Sequence, residues 1–559
     1  MTAARSTLAW DPWPSRVRTA VLGARRPPIG LIVISLATAA FMMVPLVYVL
    51  YRGLSADAEI WERLWETRLP ELFANTVKLV TAVSLAAAVT GVALAWLIVR
   101  TDLPGRALFS WLAAMPLAVP PYVGALTYIA LLGPGGYVED WLSAITGVEG
   151  RDLPMPEFFG LGGATFVLVI FTYPYVYLLA AAALRTSDRS LEEVAAAAGH
   201  GTLSTLRRIV LPLLTPAIGA GVLLVALYTL ADFGEVSLMR YQTFTYAIYQ
   251  QFTARFDRSA AAMLSSVLVV LTIGLLWAQT LTQSRRRYHQ TGSGKPPHTV
   301  RLGRWRYPAL AFVLLVLSLA LFIPIGLLVY WTIDGLTDSS TLNDVWSYSD
   351  DSIYVYAWNS LWTAAVAATI AVLAALPLAL LATRFDSPLS RWLARFAQAG
   401  YALPGIVVAL SVIFLLNRYV DALYGSTLVI VIAYVLLFYA QAHQAVAASL
   451  AQVPPAVEEA ARSLGRRPER AFVEATLPLI LPGLVAGWAL VFLTALKELP
   501  ATLLLRPAGF DTLPVRIWIN SSEGIVTLAA PLALVLIACA SLPLYLLLRR
   551  TELGFRVIT

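Results

Sequence analysis

Long apolar runs alternate with short polar stretches along the whole chain. A helix needs ~20 mostly apolar residues to cross a hydrocarbon core. Twelve runs approach or reach that length, at 29–51, 74–99, 108–133, 162–185, 217–234, 260–283, 307–331, 359–383, 394–416, 425–448, 483–499 and 525–548. They predict an all-α integral membrane protein of about twelve spans. The first run is longer than the ~7–15-residue apolar core of a signal peptide. Thr38-Ala39-Ala40 offers only a weak cleavage motif, so the first span is expected to be retained. The 34 Gly and 33 Pro are compatible with helices broken where protein lines a pathway.

Two polar segments carry one motif at the same internal spacing. The first reads Glu193-Val194-Ala195, Gly199, Leu211-Pro212, Pro216; the second reads Glu459-Ala460-Ala461, Gly465, Leu477-Pro478, Pro482. The copies are offset by 266 residues throughout. Further pairs match upstream at an offset of 284: Asn75-Thr76 with Asn359-Ser360, Arg100, Asp102 and Pro104 with Arg384, Asp386 and Pro388, and Pro120, Ala125 and Leu126 with Pro404, Ala409 and Leu410. The first half therefore holds about 18 extra residues, assigned to the loose Gly/Pro/acid loop at 134–161. Six spans per half is an even number, so both halves enter the membrane alike, as parallel repeats around a common pathway do. The expected organisation is an N-terminal segment 1–28, a first half 29–283 with its motif loop at about 186–216, a flexible linker 284–306, a second half 307–549 with its motif loop at about 450–482, and a tail 550–559.

Charge orients this frame. Arg5, Arg16, Arg18, Arg25 and Arg26 precede the first run; Arg285, Arg286, Arg287, Lys295, Arg301, Arg304 and Arg306 fill the linker; Arg549, Arg550 and Arg556 end the chain. With twelve spans all three clusters and both motif loops fall on one side, which the positive-inside rule makes cytoplasmic. The opposite segment 332–357 carries Asp334, Asp338, Asp344, Asp350 and Asp351 without Lys or Arg. Both termini are expected in the cytoplasm. The net charge of +7 then reflects topology and does not point to nucleic acid as a partner. Composition agrees with the class: 59% of the 559 residues are hydrophobic and 13% charged, well outside the soluble range. Cys539 is the only cysteine, which excludes an intrachain disulfide and any cysteine-cluster metal site.

Each motif has a local logic. The stretch around Glu193 is rich in helix formers, Gly199 or Gly465 ends that helix, and Leu-Pro is expected to begin the next one, since proline is tolerated in a first turn. A surface helix–turn–helix follows, either an interfacial hairpin or a docking element. Its duplication on one side favours docking to two copies of one partner.

The pattern resembles the coupling loop of binding-protein-dependent ABC importer permeases, and the duplication resembles fused permeases in which one chain supplies both halves. The resemblance implies the type I importer permease fold. It also implies two copies of a cytoplasmic ATPase that carry ATP and magnesium, an external periplasmic or lipid-anchored binding protein, and residence in the bacterial inner membrane. Glu193, Ala195, Gly199, Leu211, Pro212, Glu459, Ala460, Ala461, Gly465, Leu477 and Pro478 would form its two ATPase-coupling loops. Val194 departs from the pattern. This chain lacks the phosphate-binding G-x-x-x-x-G-K-[ST] loop, since Gly294-Lys295 runs into Pro296, so under this reading it is a permease without an ATPase site of its own. Ala231-Asp232-Phe233-Gly234-Glu235 and Lys497-Glu498-Leu499-Pro500 resemble ferric iron(III) permeases; thiamine, polyamine, sulfate and phosphonate permeases share the architecture. An ion-gradient-driven secondary transporter is the rival class, because it also shows repeated halves.

Asp232 and Glu498 match at offset 266, at the far ends of the two fifth spans. Acids at membrane depth line cavities or pair with bases, and oxygen donors suit a hard cation. Asp232, Glu235 and Glu498 are therefore candidate pathway residues. The competing reading pairs Glu498 with Lys497 or Arg506, or makes both acids helix caps. No metal-ligand spacing of His, Cys, Asp and Glu occurs, and His443 reads as a packed or interfacial histidine.

Overall fold

The computed structural model describes residues 27–148, 152–153, 157–186, 197–199, 201–283, 299–337, 352–385, 387–398, 400 and 403–555. In the first half the principal helices are α1 (Ile29–Leu54), α2 (Leu69–Arg100), α3 (Pro121–Leu132), α4 (Leu161–Thr186), α5 (Leu211–Ala231), α6 (Gly234–Leu238), α7 (Phe244–Thr253) and α8 (Arg258–Gln283). The second half holds α9 (Ile323–Thr337), α10 (Ile353–Arg384), α11 (Gly405–Tyr419), α12 (Leu428–Gln452), α13 (Pro455–Ser463), α14 (Leu477–Leu496), α15 (Pro500–Leu505), α16 (Leu513–Ser522) and α17 (Val526–Phe555).

Among the described residues ten helices are long and apolar enough to cross a membrane, eleven if one sharply bent pair counts as a span. The difference from twelve falls on expected spans three and nine. In the first half Arg106–Ala118 meets Pro121–Thr146 at 93°. In the second, Pro388–Ala397 stops before the shorter apolar helix α11. Both restarts follow a repeated proline, Pro120 before α3 and Pro404 before α11. Proline fixes φ and biases the preceding residue away from α, so the chain turns while its apolar pattern runs on.

The repeat extends to hydrogen bonds. In each half the start of the long second helix holds the segment that follows the fifth span. Ser360 Oγ accepts the N–H of Leu513 at 2.8 Å, and Asn359 Nδ2 donates to the Asp511 carbonyl at 2.9 Å. In the first half Thr76 Oγ1 accepts the N–H of Phe244 at 3.4 Å, and Tyr241 OH donates to the Asn75 carbonyl at 3.2 Å. The first free N–H groups of α7 and α16 are thus satisfied by the matched hydroxyls of Thr76 and Ser360, while the neighbouring Asn residues hold the segment just before each helix.

Leu-Pro does not begin a new helix. The helical segment is already under way at Thr202 and at Pro468, and a π-turn precedes each proline, Leu206–Val210 before Pro212 and Phe472–Thr476 before Pro478. The wider turn passes the ladder over a residue that has no N–H to give. The helix therefore continues across the motif into α5 and α14.

The halves embrace. Helix α1 packs against α10 and α11 of the second half, where Ser411 Oγ donates to the Pro45 carbonyl at 3.1 Å. Conversely, Tyr128 OH on α3 donates to the Leu319 carbonyl at 2.5 Å, and Trp331 Nε1 on α9 donates to Tyr137 OH at 2.7 Å. Tyr137 begins a helix, Tyr137–Thr146, inside the loop expected to be loose, and it accounts for part of the extra length. The linker is also partly ordered. Val300 forms an isolated parallel bridge with Thr101, and Leu302 N–H donates to Asp102 Oδ1 at 2.8 Å; residues 284–298 lie outside the described residues. Half-buried Cys539 sits in α17. His443 is buried, with its ring against Tyr439.

Candidate functional site

Helix α5 runs about 30 Å from Leu211 to Ala231 at 1.5 Å per residue. Asp232 follows it directly, as Glu498 follows the equivalent α14 closely. The two carboxylates do the same local work. Asp232 Oδ2 accepts the N–H groups of Glu235 and Val236 at 3.1 and 3.2 Å. Glu498 Oε1 accepts the N–H of Ala501 at 3.1 Å. Each acid thus satisfies free donors at the start of the next short helix, α6 or α15. Glu235 and Ala501 are themselves equivalent positions.

Helix capping does not exclude the acids from an open space. Asp232 and Glu498 line one cavity of about 280 Å³ between the halves, together with Tyr122, Tyr175, Tyr228, Gln441, Thr494 and Lys497. The base-paired reading of Glu498 does not hold. Arg506 pairs with Asp511, and Lys497 Nζ donates to the Leu117 carbonyl at 2.5 Å, across to the broken third span of the other half. Gly405 makes room for the Glu498 side chain: a Cβ there would lie 2.3 Å from Oε1. Glu235 takes a different place. It is fully buried on α6, is absent from the cavity wall, and has no hydrogen-bond partner for either carboxyl oxygen among the described residues. Behind the cavity-lining Phe233, Trp518 joins the halves, donating from Nε1 to Ser237 Oγ at 3.0 Å with its ring against Phe233 and Tyr249.

The motif loops lie at the other end of α5 and α14. Glu193 and Ala195 lie outside the described residues. Gly199 has φ 81° and Gly465 φ 86°, the left-handed region open to glycine. In the second copy the turn is complete: Gly465 N–H donates to the Arg462 carbonyl at 2.9 Å and Arg466 N–H to the Ala461 carbonyl at 3.2 Å, the paired bonds of a Schellman cap. Glu459, Ala460 and Ala461 lie on α13, and Leu464 at its tip is 86% exposed. The acid that anchors this helix is the neighbouring Glu458. Its Oε1 accepts from Arg384 Nε and from Thr476 Oγ1, both at 3.1 Å. A signal for it was present, because Glu192-Glu193 and Glu458-Glu459 repeat together and Arg384 matches Arg100. Arg100 is fully buried; Glu192 lies outside the described residues. Tyr122 and Gly405 escaped the sequence reading because neither has a counterpart of its own type in the other half, and Lys497 was read only as a possible partner of Glu498.

Two broken spans, two embraced halves and a repeated polar turn define a duplicated membrane permease. The chain belongs to the family of binding-protein-dependent transport system inner membrane components, which matches it twice, at residues 87–288 and 371–552. It is a multi-pass membrane protein that carries both halves of an ABC permease in one polypeptide. It is 34% identical to the Fe(3+)-transport system permease protein FbpB 2 of Haemophilus influenzae, over 94% of this chain and 98% of that protein. A putative ferric transport system permease protein, FbpB 1 of the same organism, is 24% identical over 83% of this chain and 74% of its own length. The sulfate transport system permease protein CysW of Escherichia coli is 27% identical over 36% of this chain and 68% of its own length.

Proposed function

We propose that this chain forms the membrane passage of an ATP-driven importer for iron(III). The observation that carries the reading is the pair of carboxylates, Asp232 and Glu498, set at equivalent positions on one cavity between the halves without a basic partner among the described residues. In a low-dielectric passage such acids favour a cation and oppose an anion. The likeness to the ferric permeases supports the same cargo, whereas the sulfate permease covers little of the chain.

The two motif turns, around Gly199 and Gly465, each dock one copy of a cytoplasmic ATPase that holds ATP and magnesium. An external binding protein delivers the cation to the opposite face. ATP binding draws the ATPases together, and the motif helices transmit the movement along α5 and α14 to the acids at their far ends. Both termini and both loops then lie in the cytoplasm. An ion-gradient mechanism finds no support in a binding-protein-dependent family. Co-purification tests the assembly: the chain expressed with its cognate ATPase should retain two ATPase copies, and a chain that holds none would contradict it.

A further inference from the structure

The cavity between the halves is built as a binding site. Asp232 uses Oδ2 and Glu498 uses Oε1 in the helix-start bonds described above, and each carboxylate lines the open volume. Neither is paired with a base among the described residues, and Lys497 and Arg506 are engaged elsewhere. The third component is Tyr122 on α3. It lines the same cavity, is 4% exposed, and its hydroxyl has no hydrogen-bond partner among the described residues. Buried hydroxyls are ordinarily satisfied, so an orphan on a residue that lines the same cavity as two carboxylates marks a place for a ligand. About 280 Å³ exceeds the ~30 Å³ share of one liquid water and accommodates a partly hydrated ion.

We propose that this cavity is a saturable site for a hard, oxygen-preferring metal cation. Asp232 and Glu498 hold it from the two halves, and the Tyr122 hydroxyl oxygen is the third protein donor. Carboxylate and hydroxyl oxygens suit such ions and disfavour soft ones. Lys497 opposes the ion by charge, and its bond to the Leu117 carbonyl holds the ammonium on the first half's broken span. The site is a resting place for the cargo on its way through, and in that role the inference rests on the import reading above.

The test uses the purified full-length chain in lipid nanodiscs, without ATPase or binding protein. Terbium(III), a trivalent oxygen-preferring probe, is titrated while emission is excited through tyrosine. Saturable one-site emission is expected. Affinity should fall about tenfold or more in Asp232→Asn and Glu498→Gln, fall less in Tyr122→Phe, and rise in Lys497→Met. The opposite sign in Lys497→Met separates ion binding from loss of fold, which would weaken every variant alike. Emission that never saturates, or that is unchanged in the two acid variants, overturns the proposal. Lost binding with intact iron uptake would strike this inference alone; intact binding without uptake would strike the import reading.

Discussion

Arg384 Nε donates to Glu458 Oε1 at 3.1 Å, while Nη1 of the same guanidinium donates to the Val453 carbonyl at 3.1 Å. Because Glu458 also accepts from Thr476, the end of α10, the motif helix α13 and the π-turn before α14 meet on one carboxylate. The Arg384 side chain is 10% exposed and that of Glu458 25%. Removing either partner should cost about 1.5–3 kcal/mol, the range for hydrogen bonds to charged groups. Arg384→Ala and Glu458→Ala should each raise amide exchange across 455–463 and uncouple ATP hydrolysis from uptake. The double variant should be little worse than either single one. Additive losses would show that the two residues act separately.

The turn at Gly465 gives a second expectation. A side chain in the left-handed region costs about 1–2 kcal/mol, and Asn tolerates it best. Gly465→Val should therefore weaken ATPase retention more than Gly465→Asn, with Gly199 behaving alike. Equal retention by the two variants, measured by co-purification, would remove the turn from the coupling account.

Gly405→Ala tests the cavity wall without touching a charge. Its Cβ would meet Glu498 Oε1 and Pro500, so the carboxylate must leave its position against Ala501. Cation uptake should fall as it does in Glu498→Gln, by about tenfold, while insertion and ATPase retention persist. Normal uptake in Gly405→Ala would mean that the carboxylate's placement is immaterial.

The duplication was legible because it is written in residue identities: the offset of 266 links Asp232 to Glu498, which both cap the next short helix, and Gly199 to Gly465, which share the left-handed backbone. The breaks in spans three and nine were not, since hydropathy runs on through Val119 and Leu403 while the backbone turns at Pro120 and Pro404. The motif helices begin before Leu-Pro because a π-turn absorbs the proline, and a composition-based reading of helix starts has no term for that. Glu235 shows the limit for side chains. Its proximity in sequence to Asp232 made it a pathway candidate, yet one turn of α6 carries it behind the cavity wall into the core.

The matched caps of α7 and α16 should differ in strength. Ser360 Oγ stands 2.8 Å from the Leu513 N–H, and Thr76 Oγ1 stands 3.4 Å from that of Phe244. Leaving a buried N–H unsatisfied costs about 1–3 kcal/mol. Ser360→Ala should therefore lower the unfolding temperature in detergent more than Thr76→Val, and a reversed order would contradict the bond lengths.

Iron(III) is proposed to pass between the two halves of this permease past Asp232 and Glu498. Proteoliposomes holding the chain, its ATPase and its binding protein measure it directly. Labelled iron(III) should enter on ATP addition, sulfate, thiamine and phosphonate should not, and Asp232→Asn or Glu498→Gln should slow iron entry while the binding protein keeps its affinity. ATP-dependent entry of sulfate, thiamine or phosphonate without iron, or iron entry at the same rate in both acid variants, would contradict the account.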